Sequence, residues 1–458
     1  MNYNNNRNLE DDDFITTTLN IMPDFIRYPP MSNPPQNFDF VHKMKTKFVK
    51  NSASMLPKLQ NFNHMYQNYA SGLLQSSTKL FPPGHPLYTK QESLTTLKDE
   101  NENQIIYLDG PGGTQVPSSV IDAISNYYRQ SNSNTHGEFI TSKETDSILD
   151  SMRKKVAQLL GAESKECISI GQNMTTLNYS LSRGLSKFFK KGDEVIITEL
   201  DHEANRGPWK TLESYGIKLV EVALLQDGTL DYNDFKNKIN QRTALVAMGM
   251  SSNALGTIND FNFIRKITTK YNSLLLLDAV HYAPHFSIDV KSLDCDFLIC
   301  SAYKFYGPHV GLLYSRPGLL DTLDPDRLIV QEQYAPYKIE TGTLNHAACS
   351  GVSAAIDFIS SIGEGNSYRE KLVSAYKKIS NHEYELASNL YSSLDAIDNV
   401  TIIGQNFSNK NRTPTVSFIH KKYSANEICK KLGEVNICAW DGHFYALKAI
   451  QKLKLEKI

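Results

Sequence analysis

Seven short apolar runs recur between Cys167 and Ser315, and they restrict the fold more than any other feature of the sequence. They are Cys167–Ile170, Glu194–Thr198, Lys218–Val222, Ala244–Met250, Ser273–Asp278, Asp296–Ser301 and Val310–Ser315. Continuous runs of this length, rich in Val, Ile and Leu, suit strands buried on both faces. Helical patterns accompany them, first at Val120–Tyr128 and Ile148–Leu160. Strands that alternate with helices build parallel βαβ units. The expected fold is therefore α/β, with a large, mainly parallel seven-stranded sheet covered by helices. Beyond Gly342 the rhythm changes to a long helical pattern through Tyr368–Leu390, a strand at Thr415–Ile419 and a helix at Ala425–Leu432. An apparent strand at Val435–Trp440 and a helix at Ala446–Lys454 follow. This predicts a smaller α+β domain.

A chain of 458 residues has room for two or three domains. Residues 1–85 stand apart, with frequent Asn, the pairs Pro29-Pro30, Pro34-Pro35 and Pro82-Pro83, and no amphipathic period. They read as a low-order N-terminal extension. The expected division continues with a large domain at 86–345, its N-terminal part contributing to the small domain, and a small domain at 346–458 that looks truncated. Lys plus Arg number 48 against 49 for Asp plus Glu, which gives no electrostatic case for nucleic acid or an acidic membrane as partner. No run approaches the ~20 apolar residues of a membrane span. The acidic stretch Glu10–Asp13 contradicts a transit peptide. The six cysteines are scattered, without a CxxC pair or metal-ligand spacing, so reduced thiols, no metal and a cytoplasmic address are expected.

In open α/β sheets, ligands bind beyond the carboxyl ends of the strands. The run Ser273–Leu277 ends on Asp278, and the run from Phe297 to Ser301 leads through Ala302 and Tyr303 to Lys304. An acid and an amine thus stand at the ends of successive core strands. A buried ion pair would account for both. So would a site for pyridoxal 5′-phosphate (PLP), in which a desolvated lysine attacks the cofactor carbonyl and a carboxylate keeps the pyridine nitrogen protonated. The segment Gly171–Asn178 follows a strand and opens a helix at Met174, where free N–H groups and the helix dipole can hold a phosphate or Asn173 can simply cap the helix. His202 follows the strand Glu194–Thr198, placed either to stack on a cofactor or to serve the fold.

Together these stretches resemble the class V aminotransferases of PLP fold type I, in particular their cysteine desulfurase-like branch. The resemblance is carried by Tyr107–Pro117, Asn134–Gly137, Asp201–Trp209, Ser252–Thr257, Asp278–His281, Ser301–Lys304 and Trp440–His443, in the family's order. It implies a PLP-dependent transferase or lyase acting on an amino acid, with Lys304 bearing the internal aldimine, Asp278 pairing with the pyridine nitrogen and His202 stacking on the ring. Asn253 and His281 would lie near the ring hydroxyl, His281 standing where the family more often has Gln. Ser301, Tyr303 and the helix start at Asn173, Met174 and Thr175 would hold the phosphate, Tyr303 replacing the usual His. Gly342 and Thr343 match a Gly-Thr pair that reaches the phosphate of the other subunit, which implies a homodimer.

Two departures bear on the reaction. The family's desulfurases carry a mobile cysteine after a Gly-His-like turn, and here that turn reads Asp441-Gly442-His443-Phe444-Tyr445. Tyrosine cannot carry a persulfide, and Cys438 lies a few residues upstream. The family's arginine for the substrate carboxylate follows the last small-domain helix and has no counterpart before Ile458, which leaves Arg183, Arg206 and Arg412 as candidates. A PLP-binding pseudoenzyme or a truncated, non-catalytic interaction protein is the alternative expectation.

Overall fold

The structure is a computed structural model and describes Asp99, residues 105–408 and residues 411–455. The expected low-order extension at 1–85 lies outside the described residues. We number the strands β1 (Ile106–Tyr107), β2 (Ile168–Gly171), β3 (Glu194–Thr198), β4 (Lys218–Val222), β5 (Thr243–Gly249) and β6 (Leu274–Asp278). They continue with β7 (Phe297–Ser301), β8 (Gly311–Ser315), β9 (Val400–Ile403), β10 (Ser417–His420) and β11 (Ile437–Cys438). Strands β2 to β8 form one seven-stranded sheet in the order β2-β8-β7-β6-β5-β3-β4. Its paired strands run parallel except along β8, which is antiparallel to β2 and β7.

Alternate side chains of these strands feed opposite cores, as the two-residue period of a strand requires. Leu275, Leu277, Leu298 and Cys300 join one cluster with Met152, Val156, Ile356 and Ile359. Leu276, Phe297 and Ile299 join the other with Leu177, Leu181 and Leu185. Burying both faces explains why the runs read as continuously apolar, and why the expectation of a helix-covered, mainly parallel sheet holds.

The helix Ile140–Leu160 begins eight residues before the expected Ile148. Its first turns are polar and show no apolar period, and tertiary hydrogen bonds secure them instead. Ser142 Oγ donates to Asn134 O at 2.7 Å, and Thr145 Oγ1 donates to Ser131 O at 3.1 Å. The expected strand Val435–Trp440 shrinks to β11, whose two residues pair in parallel with β1. A third core cluster of Leu200, Leu224, Ala254, Leu255, Ala446 and Ala449 packs the last helix, Leu447–Lys452, against the loops beyond the large sheet. The turn before that helix is thereby carried to the carboxyl ends of the strands. Among the described residues, no helix is long and apolar enough to cross a membrane.

Candidate active site

Register places the chemistry. Gly249 of β5 pairs with Asp278, which pairs with Ile299 of β7, so the ends of three adjacent strands are level. Asp278 is 8% exposed and accepts the Val280 N–H at 2.9 Å. Burial pushes its carboxyl up to about 7, with the charge of Asp201 adding to the rise while the Val280 hydrogen bond and Lys304 oppose it. Asp201 is itself buried, accepting N–H groups from Thr198 at 2.8 Å and Gly249 at 2.6 Å. Burial raises it to about 6. Lys304 closes a 3₁₀ turn, Ala302–Lys304, that follows β7, and its Nζ donates to Pro111 O. Burial lowers the amine to about 8, against the pull of Asp109 and Asp278.

His202 lies beyond β3. Its Nδ1 accepts the Ala204 N–H at 3.0 Å, so the proton of the neutral ring sits on Nε2. Burial, then the charge of Lys304, lowers this imidazole to about 4. The ring is stacked on Tyr445 with centroids 5.4 Å apart.

The helix Met174–Ser186 starts in a capping box, with Asn173 Oδ1 accepting the Thr176 N–H at 2.9 Å. The Met174 N–H donates to Ser301 Oγ at 2.9 Å, which ties the helix start to the end of β7. Asn173 is therefore a cap, and the Thr175 N–H remains as the first-turn donor. Gly311 of β8 is required here, because a Cβ would overlap the Asn173 main chain. Tyr303 stacks flat on His309, with centroids 4.6 Å apart, and its ring centroid is 4.9 Å from Lys304 Nζ.

Asn253 and His281 reach the C-terminal part of the chain. Asn253 Nδ2 donates to Phe444 O at 2.8 Å, and His281 Nε2 lies 2.8 Å from Thr415 Oγ1 and 3.2 Å from Thr413 Oγ1. The Glu203 N–H donates to Tyr445 O at 2.8 Å, so the turn that carries Tyr445 is pinned twice to the large sheet's loops. Phe444 and Tyr445 both hold left-handed φ, at 51° and 57°.

Of the residues expected at the site, Lys304, Asp278, His202, His281, Ser301, Tyr303 and the helix start at Asn173–Thr175 gather at the sheet's carboxyl edge, with Asn253 at its rim. Gly342 and Thr343 do not join them within this chain. Both are exposed, just after Glu340, whose carboxylate takes Arg153 Nη1 and Nη2 at 2.6 Å each. Arg206 is engaged by Glu203 and Glu221, and Arg183 pairs with Asp326 at the surface. Arg412 is buried and donates to main-chain carbonyls of Leu255, Thr413 and Thr415, its Nη1 without a hydrogen-bond partner among the described residues.

Sequence reasoning missed Asp201 as a neighbour that raises Asp278, Asp109 as a charge near Lys304, and the Thr413–Thr415 pair behind His281. Asp201 stood inside a quoted motif, and its place directly after a core strand was the signal available. All six thiols are pushed up, Cys295, Cys300 and Cys349 to about 12 and Cys429 to about 11, each chiefly by burial. The site thus offers a partly neutral amine, a buried acid that any cationic N–H would stabilise, a fixed imidazole donor and a helix N-terminus.

The profile of the family described as Aminotransferase class-V matches residues 106–458. A probable cysteine desulfurase of Halalkalibacterium halodurans is 30% identical over 76% of this chain and 86% of its own length. A cysteine desulfurase of Pectobacterium atrosepticum is 28% identical over 80% of this chain and 90% of its own. Among solved structures, the apo cysteine desulfurase of Thermococcus onnurineus NA1 superposes with a TM-score of 0.70 at 28% identity, covering 76% of this chain and 87% of that one. With the seven-stranded sheet and the order of the site residues, these matches assign the fold to PLP fold type I. The chain belongs to the class-V aminotransferase family.

Proposed function

We propose that the chain is a PLP-dependent enzyme that labilises a bond at Cα of an amino acid, with Lys304 as the cofactor-linking residue. The observation that carries this reading is the placement of a half-buried lysine just after β7 and a buried carboxyl at the end of the neighbouring β6, where burial lowers the amine and raises the carboxyl. The donor set suits the cofactor. A pyridinium N–H would stabilise the Asp278 carboxylate, whose only main-chain partner among the described residues is Val280. Ser301 Oγ accepts the Met174 N–H and keeps its own proton for a phosphate, which the Thr175 N–H and the helix dipole would also hold. When bound, PLP supplies an electron sink for the pair released at Cα. Asp278 would hold the ring nitrogen's proton, His202 would present its Nε2 proton from a fixed ring, Tyr303 with Ser301 would border the phosphate, and Asn253 and His281 would border the ring hydroxyl.

Persulfide transfer is not part of this reading, because Tyr445 stands at the turn and all six thiols are raised. Gly342 and Thr343 are assigned to the partner's phosphate in a homodimer. The buried Arg153–Glu340 pair fixes the segment that presents them, and the exposed Leu328, Ile329 and Val330 form an apolar surface for a second copy. We assign the segments 86–345 and 346–458 to the large and small domains. Six free cysteines fit a reducing cytoplasm. The test is incubation of the PLP-loaded protein with single L-amino acids in D₂O, scoring deuterium at Cα and products. Deuterium uptake with at least one amino acid is expected, with no sulfide from L-cysteine. No exchange with any of the twenty, or rapid sulfide release, contradicts the reading.

A further inference from the structure

A chain of buried polar side chains runs from the helix Tyr368–Asp395 to His281, and the reading above uses only its last member. Glu383 Oε2 lies 2.9 Å from His285 Nδ1, and the two residues are 7% and 9% exposed. A carboxylate so placed accepts the His285 Nδ1 proton. The His285 ring meets the His281 ring edge to face, with centroids 5.3 Å apart and planes at 75°. On its other side, His281 Nε2 faces the two threonine hydroxyls. Thr413 Oγ1 can give its proton to Gly256 O or to Thr415 Oγ1, both at 3.4 Å. Thr415 has no acceptor for its own proton among the described residues except His281 Nε2 at 2.8 Å. The opposite arrangement, with Nε2–H donating, would leave the hydroxyl of the half-buried Thr415 without an acceptor among the described residues, and an unmet donor is unfavourable.

We propose that Glu383, His285, Thr413 and Thr415 are positioning residues that fix the His281 ring and place its proton on Nδ1. His281 then offers the cofactor site an N–H donor, as the family's carboxamide would. This inference rests on the reading of His281 as a neighbour of the cofactor's ring hydroxyl. Burial holds His281 well below the ordinary imidazole value, and the charges facing it, His285, Lys304 and His202, act in the same direction. Around Glu383, the phenols of Tyr306 and Tyr376 are raised in part by its charge, and His382 lies close by. The ring therefore stays neutral across the working range, and the hydroxyls decide only which nitrogen is protonated.

The test is long-range ¹H–¹⁵N correlation on the full-length, histidine-labelled protein without and with PLP, His281 being assigned by its loss in His281→Gln. The expected wild-type signal is a single neutral tautomer protonated at Nδ1 between pH 6 and 9. Thr415→Val should lower the ratio of Nδ1–H to Nε2–H at least about fivefold, the effect of one hydrogen bond, whereas Thr415→Ser keeps it. Glu383→Gln should broaden the His281 signal while His202, held by the Ala204 N–H, stays protonated at Nε2. That unchanged His202 signal also reports an intact fold. An Nε2-protonated His281 in the wild type, or no change in Thr415→Val, overturns the proposal. The measurement without PLP tests the relay itself. Should only the PLP-loaded protein fail to respond at His281, the cofactor reading fails and the relay stands.

Discussion

Replacing Asp278 with Asn should stabilise the cofactor-free protein at pH 8, although it removes the carboxylate on which the proposed chemistry depends. The folded state holds this carboxyl at about 7 instead of 3.8, mainly because the group is buried. Below about pH 4 it is protonated in folded and unfolded chains alike, and no difference in stability arises. As pH rises from about 4 to about 7 the unfolded chain ionises first, and folding becomes progressively less favourable by up to about 4 kcal/mol. Asparagine keeps the acceptor for the Val280 N–H and carries no charge, so this loss disappears. The repulsion from Asp201 is part of the rise in Asp278 and disappears with it. The assay is thermal unfolding of cofactor-free wild type and Asp278→Asn at pH 5 and pH 8. At pH 8 the variant should melt higher by about 4–8 °C, given that 1 kcal/mol moves a domain of 150–250 residues by roughly 2–4 °C and a larger chain by less. At pH 5 the gap should narrow. With PLP bound, the order should reverse, since the pyridinium then compensates the carboxylate only in the wild type. Equal melting temperatures for the two cofactor-free proteins at pH 8 would refute the claim that burial of Asp278 outweighs its compensation by Lys304 and the Val280 N–H in the cofactor-free protein.

Other outcomes are expected from neighbouring parts of the structure. Glu340→Ala leaves the Arg153 guanidinium buried without its carboxylate and should cost about 3–5 kcal/mol in denaturant titration; a loss below about 1 kcal/mol would mean that water or another group reaches it. Gly311→Ala pushes the Asn173 cap away from β8 and should weaken PLP binding at least about tenfold, or about 1.4 kcal/mol, in fluorescence titration. Lys304, lowered to about 8, should capture PLP about ten times faster at pH 9 than at pH 7 in stopped-flow absorbance, because only the neutral amine attacks. A rate flat across that range would place the reactive amine elsewhere.

The sheet was legible because both of its faces are buried, which leaves continuous apolar runs that end at Asp278 and just before Lys304. Ser301 and the start of the helix at Met174 were legible for the same reason, since each sits where an apolar run stops. What stayed hidden depends on contacts between distant segments. The polar first turns of Ile140–Leu160 are held by residues of the loop before them, and β1 finds its partner in β11 near the other end of the described chain. Asp201 is set by N–H groups of Thr198 and Gly249, and His281 by hydroxyls of Thr413 and Thr415. None of these contacts leaves a period in the sequence. The Asp441–Tyr445 turn was legible as a motif, but its left-handed residues and its two anchors to Asn253 and Glu203 required the structure.

The central claim is that Lys304 links the cofactor, and borohydride reduction of the PLP-loaded protein followed by peptide mapping tests it most directly. The account predicts one fixed pyridoxyl group, on the peptide that contains Lys304, and no visible cofactor band in Lys304→Ala of unchanged melting temperature without PLP. A pyridoxyl group on any other lysine, or a reducible band that survives in Lys304→Ala, would contradict it.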